Sequence, residues 1–155
     1  MFAVSKNDRK VDKGGIRVTA KEYLRQYLNA ERAINAKLEQ ISKLRALATK
    51  TTQTLQPDKV QSSMENKTEK IIAKIVDLEN EVDAEIDRLV DIKAQVEAVI
   101  RQVPDAAQRI LLERRYILGE TWEQIAVAMN YTYRNICYLH GKALVAVQKS
   151  FHCIS

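Results

Sequence analysis

A short segment near the C-terminal end of the sequence collects side chains that can hydrogen-bond to nucleic acid. Within ten positions it carries guanidinium, amide, phenol and ammonium groups, namely Tyr133, Arg134, Asn135, Tyr138 and Lys142. Arginine can donate two hydrogen bonds to a guanine edge, and asparagine can pair with adenine. Tyrosine can contact thymine methyl groups or phosphates, and lysine can reach the phosphate backbone. These residue types point to DNA as the ligand.

The surrounding sequence predicts two short helices joined by a tight turn. Thr121 stands three residues before Gln124, the spacing of a capping box that starts a helix. Asn130 tolerates the left-handed backbone that a tight turn needs, and Thr132 can cap the next helix. Apolar residues follow at helical spacing on both sides of the turn, namely Ile125, Ala126 and Met129, then Ile136, Leu139 and Ala143. A helix-turn-helix fits this pattern, and a plain helical hairpin within a small bundle is the alternative.

In a helix-turn-helix the second helix enters the major groove, where base edges can be distinguished. Thr132 and the free N–H groups beside it can hold a phosphate at the helix N-terminus. Cys137 shares the outward face with the tyrosines, away from the apolar stripe. Arg114 and Arg115, one helix earlier, either contact phosphate across the groove or are simply solvated.

Three segments follow one another in the last third of the chain: RYILG at 115–119, TWEQIA at 121–126, and a stretch that runs from Thr132 to a late KAL at 142–144. In this order they resemble domain 4 of bacterial sigma factors. With the helical region ahead of it, the chain resembles small phage late-gene transcription activators of the ArpU and RinA type. The resemblance implies a regulator that binds double-stranded DNA near a promoter and aids recruitment of RNA polymerase.

The promoter-contacting positions of the sigma family fall at Tyr133, Arg134, Cys137 and Tyr138, where sigma factors typically carry Arg, Glu, Arg and Gln. None of these four residues is retained. The resemblance therefore implies the fold of domain 4 but not its target sequence. The chain shows no sign of the domain that melts DNA, so we do not expect a complete sigma factor.

Composition favours an all-α protein of 155 residues, with four Gly and two Pro. No apolar run approaches the ~20 residues that span a bilayer, so we expect no membrane partner. The N-terminus lacks the apolar core of a signal peptide, which predicts a cytoplasmic location in a bacterial host. The two cysteines are too few for a disulfide framework and fit the reducing cytosol.

Neither a metal site nor an enzyme is expected. Cys137 and His140 are three residues apart on one helix, but the adjacent pair His152 and Cys153 fits tetrahedral zinc poorly. No nucleophile–base pair or carboxylate pair stands out, because the acidic residues lie along a solvated helix face. We therefore expect no cofactor and no catalytic residues.

The formal charge of +5 is unevenly distributed. Residues 1–20 carry net +3, residues 21–103 are balanced, and residues 104–155 carry net +2. The basic excess thus lies in the N-terminal segment and beside the predicted helix-turn-helix. This location fits a polyanionic partner.

Three parts are predicted along the chain. Residues 1–18 are polar and basic and form either a disordered terminus or a phosphate-contacting arm. Residues 19–103 form a long antiparallel helical hairpin, like a coiled coil, with a loop at about 51–65. Pro104 ends the second helix, and residues 104–155 form the helix-turn-helix domain.

Apolar bands at three- and four-residue steps should hold the hairpin together. In the first helix the band contains Tyr23, Leu24, Tyr27, Leu28, Ile34, Leu38, Ile41, Leu44 and Leu47, and in the second Ile72, Ile75, Leu78, Val82, Ile86, Leu89, Val96, Val99, Ile100 and Val103. If the chain folds back near residue 58, Lys37 and Arg32 lie beside residues 79 to 84. The acidic residues between positions 77 and 91 of the second helix alternatively dock a basic surface such as that of a polymerase. The same apolar bands could also build a homo-oligomer.

In the C-terminal domain, a helix after Asp105 should pack behind the helix-turn-helix through Ile110, Leu111, Leu112, Tyr116, Ile117 and Leu118. Gly119 is placed to stop that helix, and Val145, Val147 and Phe151 should add apolar area. Two functional alternatives stay open beside the transcription regulator. One is a coiled-coil structural or interaction protein, and the other is a DNA-packaging recognition subunit.

Overall fold

A computed structural model describes residues 18–53 and 61–152, and these residues confirm the all-α class. Five helices follow one another: α1 Ala20–Gln53, α2 Gln61–Arg101, α3 Ala106–Tyr116, α4 Trp122–Met129 and α5 Tyr133–His152. Nearly all of the predicted arm at 1–18 lies outside the described residues. Among the described helices, none combines the length and the apolarity that crossing a bilayer would require.

Helices α1 and α2 pack against each other as an antiparallel hairpin. Lys37 of α1 bonds to Glu81 and Glu85 of α2, with distances of 2.9 and 2.6 Å from Nζ to the carboxylate oxygens. Further along α1, Arg45 pairs with Glu79, earlier on α2. As the residue number rises along α1, the number of the paired residue on α2 falls, so the two helices run antiparallel. The predicted position of Lys37 is confirmed, whereas Arg32 has no ion pair within the described residues.

The two long helices extend further into the connection than the sequence predicted. Residues 51–53 and 61–65, assigned to the loop at 51–65, are helical, so the prediction was wrong for both flanks. Thr49 and Thr51 donate their hydroxyl hydrogens to carbonyl oxygens four residues earlier in α1. Their polar groups are therefore satisfied within the helix, and without Pro or Gly these residues do not end it.

Part of each predicted apolar band faces solvent. Leu38, Leu47, Ile72 and Ile86 are 41 to 52% exposed, so their assignment to the buried bands was wrong. The distal core consists of Ile34 and Ile41 of α1 with Ile75, Leu78 and Val82 of α2. In this part of the hairpin each helix has only one neighbour. Apolar residues on the flanks of each band therefore lie at the edge of the α1–α2 interface, where solvent reaches them.

A larger core joins the base of the hairpin to the three C-terminal helices. Its fully buried side chains come from all five helices and include Leu24, Val96, Ile100, Leu111, Leu112, Ile125, Ile136 and Val147. The start of α1 also contacts the end of α5: the Ala20 N–H donates to Gln148 Oε1 at 3.0 Å, and the rings of Tyr23 and Phe151 meet edge-on. The base of the hairpin therefore supplies part of the hydrophobic core on which α3, α4 and α5 pack.

Three residues expected in this core are exposed instead. Ile110, Leu118 and Val145 face solvent, so those predictions were wrong. Helix α3 buries Leu111 and Leu112, which leaves Ile110 on its outer face. The helix ends at Tyr116, so Leu118 falls in the turn, and Val145 lies opposite the buried Val147.

The turns on either side of α3 are fixed by specific bonds. Asp105 caps the helix by accepting from the Gln108 N–H at 2.8 Å, as its spacing predicted. Arg109 Nη1 donates to the carbonyl oxygens of Val103 and Pro104 and closes the α2–α3 turn. Gly119 adopts φ +71°, and a Cβ there would lie 3.4 Å from the Leu28 side chain. The α3–α4 turn thus packs directly on α1.

Candidate nucleic-acid interface

The turn between α4 and α5 has the geometry that its residues predicted. The Thr121 N–H donates to Gln124 Oε1 at 2.8 Å, and the Gln124 N–H donates to Thr121 Oγ1 at 3.3 Å, which completes the capping box. Asn130 ends α4 in the left-handed region, at φ 55° and ψ 43°. The Tyr131 N–H then donates to the Ala126 carbonyl oxygen at 2.9 Å, so the chain reverses within three residues.

The residues that lead into α5 and its first three positions are exposed. Thr132 Oγ1 accepts from the Asn135 N–H at 3.2 Å, which confirms Thr132 as the N-cap. Every residue from 131 to 135 is exposed, and Ile136 is the first buried position. The start of α5 therefore extends beyond the core, with the side chains of residues 131–135 exposed to solvent.

The predicted contact residues within α5 lie on one exposed face of the helix, which also carries positive charge. Tyr133 and Tyr138 are 52% and 62% exposed, and Arg134, Cys137 and Lys142 are exposed as well. The opposite face buries Ile136, Ala143 and Val147. Helix α5 contains arginine and lysine but no acidic residue. Its solvent face can therefore approach a polyanion without carboxylates of its own opposing it.

Two of the phenols on this face interact with neighbouring side chains. The Lys142 ammonium lies 4.6 Å from the centre of the Tyr138 ring, and its hydrogen bond to that side chain raises the pKa of Lys142. The pKa of Tyr133 is raised chiefly by the nearby Cys137. Tyr133 and Lys142 therefore keep their hydrogen-bond donors at neutral pH.

Arg114 and Arg115 bind within the protein and hold the α3–α4 turn. Arg114 Nη1 donates to both carboxylate oxygens of Glu120, at 2.9 and 3.0 Å. Arg115 Nη1 donates to the Glu120 carbonyl oxygen at 2.7 Å, and its guanidinium lies 4.4 Å from the centre of the Trp122 ring. Each guanidinium has further N–H groups, so contact with DNA phosphate stays a prediction for both residues.

His140 supports α5 from behind, a role that the sequence reasoning missed. Its Nε2 lies 2.9 Å from the Tyr116 hydroxyl oxygen, and the Trp122 ring packs edge-on against it. Burial lowers the pKa of His140 to about 4, and the positive charges of Lys21, Arg115 and Arg25 add to the effect. The available signal was the spacing of His140 from the buried Ile136 and Ala143, which places it on the inner stripe.

The zinc alternative gains no support from the geometry. Within residues 18–53 and 61–152, no three His, Cys, Asp or Glu side chains are grouped so that they could hold a metal ion. Cys137 is a free thiol on the solvent face, whereas His140 faces inward toward Tyr116. The two side chains therefore point to different environments.

An open groove runs beside the solvent face of α5. It encloses about 860 Å³ between α5 and the α2–α3 turn. Its lining includes Tyr138, Lys142, Val145 and Lys149 on one side and Pro104 and Gln108 on the other. Lys149 was missed as a candidate contact, although it follows Lys142 by seven residues and so shares its face. The positively charged solvent face of α5 therefore extends from Lys142 to Lys149, two further turns of the helix.

Comparison with protein-family models, with curated proteins and with solved structures found no match in any of the three. The resemblance to sigma domain 4 accordingly depends on the segments at 115–119, 121–126 and 132–144. What the structure adds is local: a capped α4, a left-handed Asn130, a capped α5 and an exposed basic face.

Proposed function

We propose that this protein is a sequence-specific transcription regulator that binds double-stranded DNA through α5. The observation that carries the proposal is the exposed first turn of α5, where Arg134 follows the left-handed turn after α4. A helix presented in this way fits the major groove of B-DNA. The absence of acidic residues from α5 favours the approach of phosphates.

The exposed residues divide into two kinds of contact. In this proposal, Thr132 with the N–H groups beside it and Lys142 further along the exposed side of α5 bind phosphates and set the register of α5. Arg134 reads guanine, and Asn135 reads adenine. Tyr133, Cys137 and Tyr138 supply apolar and polar contacts to the same groove.

The regulator acts near a promoter, in a phage or a mobile element, and activates late genes. The resemblance to sigma domain 4 supports this setting, with RNA polymerase as the second partner. The long hairpin offers an acidic face on α2 between residues 77 and 91, which includes Asp83, Asp87 and Asp91, all exposed. In this proposal the protein works by binding in the bacterial cytoplasm, without catalysis or a cofactor.

Footprinting tests the proposal. The full chain is incubated with fragments of the phage or mobile-element genome that encodes it, at low salt. One protected site upstream of a late operon, lost with Arg134→Ala and kept with Arg88→Ala, is the expected result. Arg88 is an exposed arginine of α2 and serves as the matched control. Absence of any protected site at low salt would overturn the proposal.

A second candidate function is favoured by apolar side chains on the hairpin. Leu38, Ile72, Val76, Ile86 and Val90 are 41 to 62% exposed, which suits self-association of the long helices. A coiled-coil scaffold would form stable oligomers without retaining DNA. A DNA-packaging recognition subunit would assemble as a ring and bind DNA as well. Mass measurement in solution, combined with the footprint, distinguishes both from the activator.

A further inference from the structure

A second basic feature lies away from the solvent face of α5, where α1 meets the α3–α4 turn. A pocket of about 300 Å³ is lined there by Arg25, Asn29 and Arg32 of α1 and by Arg115 and Gly119. Leu28 and Tyr116 complete its wall. This arginine pocket brings together residues more than 80 positions apart. Arg25 and Arg32 are seven residues apart and so share one face of α1.

Among the described residues, the lining of the arginine pocket supplies three guanidinium groups and no carboxylate. Arg25 and Arg32 have neither a hydrogen-bond nor an ion-pair partner among the described residues, and both are exposed. Two acids are adjacent in sequence to the lining: Glu31 accepts a hydrogen bond from the Tyr27 hydroxyl, and Glu120 binds Arg114 with both of its oxygens. Three like charges at one place repel each other unless an anion lies between them.

The chemistry of the lining selects the kind of anion. Guanidinium groups present N–H donors in a planar fork that matches the oxygens of a phosphate group. Asn29 adds an amide, which can donate as well. Because Gly119 has no side chain, the backbone of the α3–α4 turn can approach a ligand closely. A tetrahedral oxyanion with several acceptor oxygens fits such a lining.

The arginine pocket is connected to the proposed DNA site through one residue. Arg115 lines the pocket, and its guanidinium also lies over the ring of Trp122 in the first turn of α4. The Trp122 ring in turn packs edge-on against His140 of α5. Two side-chain contacts therefore link the arginine pocket to α5.

We propose that the arginine pocket is an oxyanion site that binds a phosphate group. The source of that phosphate is either the DNA backbone or a free phosphorylated ligand, and the chemistry of recognition is the same. Assignment to the DNA backbone rests on the proposed function, because it requires α5 to be bound in the adjacent groove. Binding of phosphate itself does not depend on that function.

Fluorescence of the full chain tests the site, because Trp122 is the single tryptophan of the sequence and contacts Arg115. Inorganic phosphate is titrated at constant ionic strength, with chloride as the reference anion. The double variant Arg25→Gln/Arg32→Gln is compared with the wild type and with Arg88→Gln. A saturable phosphate response in the wild type and in Arg88→Gln, weakened roughly tenfold or more in the double variant, is expected.

An equal phosphate response in the double variant, or no saturable response beyond that of chloride, would overturn the proposal. Arg25 and Arg32 are exposed, so the variants should fold, and thermal unfolding followed by circular dichroism checks this. The double variant Arg25→Lys/Arg32→Lys keeps the charge but loses the guanidinium fork. Its intermediate affinity would support recognition of phosphate oxygens by the fork.

Binding to a random-sequence duplex of about 20 base pairs, measured over a range of salt, identifies the source of the phosphate. The slope of log K against log salt should fall by about one in the double variant if the pocket takes a DNA phosphate. An unchanged slope, together with a positive phosphate titration, assigns the pocket to a free phosphorylated ligand. If the wild type does not bind duplex at all, the proposed function fails, while the phosphate titration still decides the pocket.

Discussion

The Tyr116 hydroxyl oxygen and His140 Nε2 are 2.9 Å apart and join α3 to the inner side of α5. Trp122 of α4 packs against the same imidazole, so all three C-terminal helices meet at this ring. Burial and the surrounding cations keep the pKa of His140 at about 4. The relative position of the three helices therefore depends on an uncharged histidine.

This relationship predicts a loss of stability in mild acid. The unfolded chain protonates the His140 ring near pH ~6.5, whereas the folded chain does so only at a pKa of about 4. Between these values the unfolded state binds more protons, so the free energy of unfolding falls as the pH is lowered. Because the ring is partly accessible to solvent, we expect a loss on the order of 1–2 kcal/mol from pH 7 to pH 4.

Urea unfolding at pH 7.5 and pH 4.5 measures the effect. His140→Gln should reduce the difference in unfolding free energy between the two pH values, since the new side chain cannot protonate. His152→Gln replaces the other histidine of the sequence and measures how much of the difference arises from a histidine besides His140. Equal pH dependence in wild type and His140→Gln would contradict the prediction.

The parts of the fold that were predicted correctly are those governed by neighbours in sequence. The capping box of Thr121, the left-handed Asn130 and the cap at Thr132 each involve residues no more than four positions apart. Their geometry follows from which side chains can reach which backbone groups. The start of α5 was therefore readable from the sequence, and its exposure followed from the position of the apolar stripe.

Two of the features that were missed involve contacts between distant segments. The arginine pocket joins Arg25 and Arg32 to Arg115, and the inner position of His140 depends on its bond to Tyr116. Apolar periodicity indicates a buried face but not how much of that face a single partner covers. For this reason Leu38 and Ile86 were assigned to the hairpin core and lie at its edge.

Two glycine substitutions should change stability in opposite directions. Gly119 has φ +71° and packs against Leu28, so Gly119→Ala should destabilise the protein by about 1–2 kcal/mol through backbone strain. Gly141 lies within α5, and a Cβ there would meet no atom within 4 Å. Gly141→Ala should stabilise the protein by about 0.5–1 kcal/mol, because alanine favours the helix.

Chemical unfolding of the two glycine variants beside the wild type provides the measurement. Each variant is the control for the other, because the same methyl group is added in both. A stabilised Gly119→Ala variant would contradict the left-handed conformation of the α3–α4 turn. A destabilised Gly141→Ala variant would contradict the open space beside α5.

The ion pairs across the hairpin should contribute more to stability than a surface pair within one helix. Lys37 bonds to Glu81 and Glu85, and the second Glu85 oxygen is buried with no hydrogen-bond partner among the described residues. Lys37→Met should therefore lower the urea midpoint, because it leaves the Glu85 carboxylate without its cation. Lys43 pairs with Glu39 on the surface of α1, where solvent screens the interaction.

Lys43→Met is thus the matched control, and we expect the midpoint shift of Lys37→Met to be about twice as large or more. Added salt should reduce the shift at both positions, since screening weakens ion pairs. Equal shifts for the two variants would indicate that the pairs across the hairpin contribute no more than a surface pair within one helix.

The last prediction separates phosphate contact from base contact on α5. The Lys142 ammonium lies over the Tyr138 ring on the solvent face, so Lys142→Ala should remove one phosphate contact and lower the slope of log K against log salt by about one. Arg134→Ala should instead reduce the preference for the target over a random duplex, by about 1–3 kcal/mol. Lys70→Ala, at an exposed position near the start of α2, should change neither quantity. If Lys142→Ala and Lys70→Ala give the same slope, the basic face of α5 does not contact the DNA backbone.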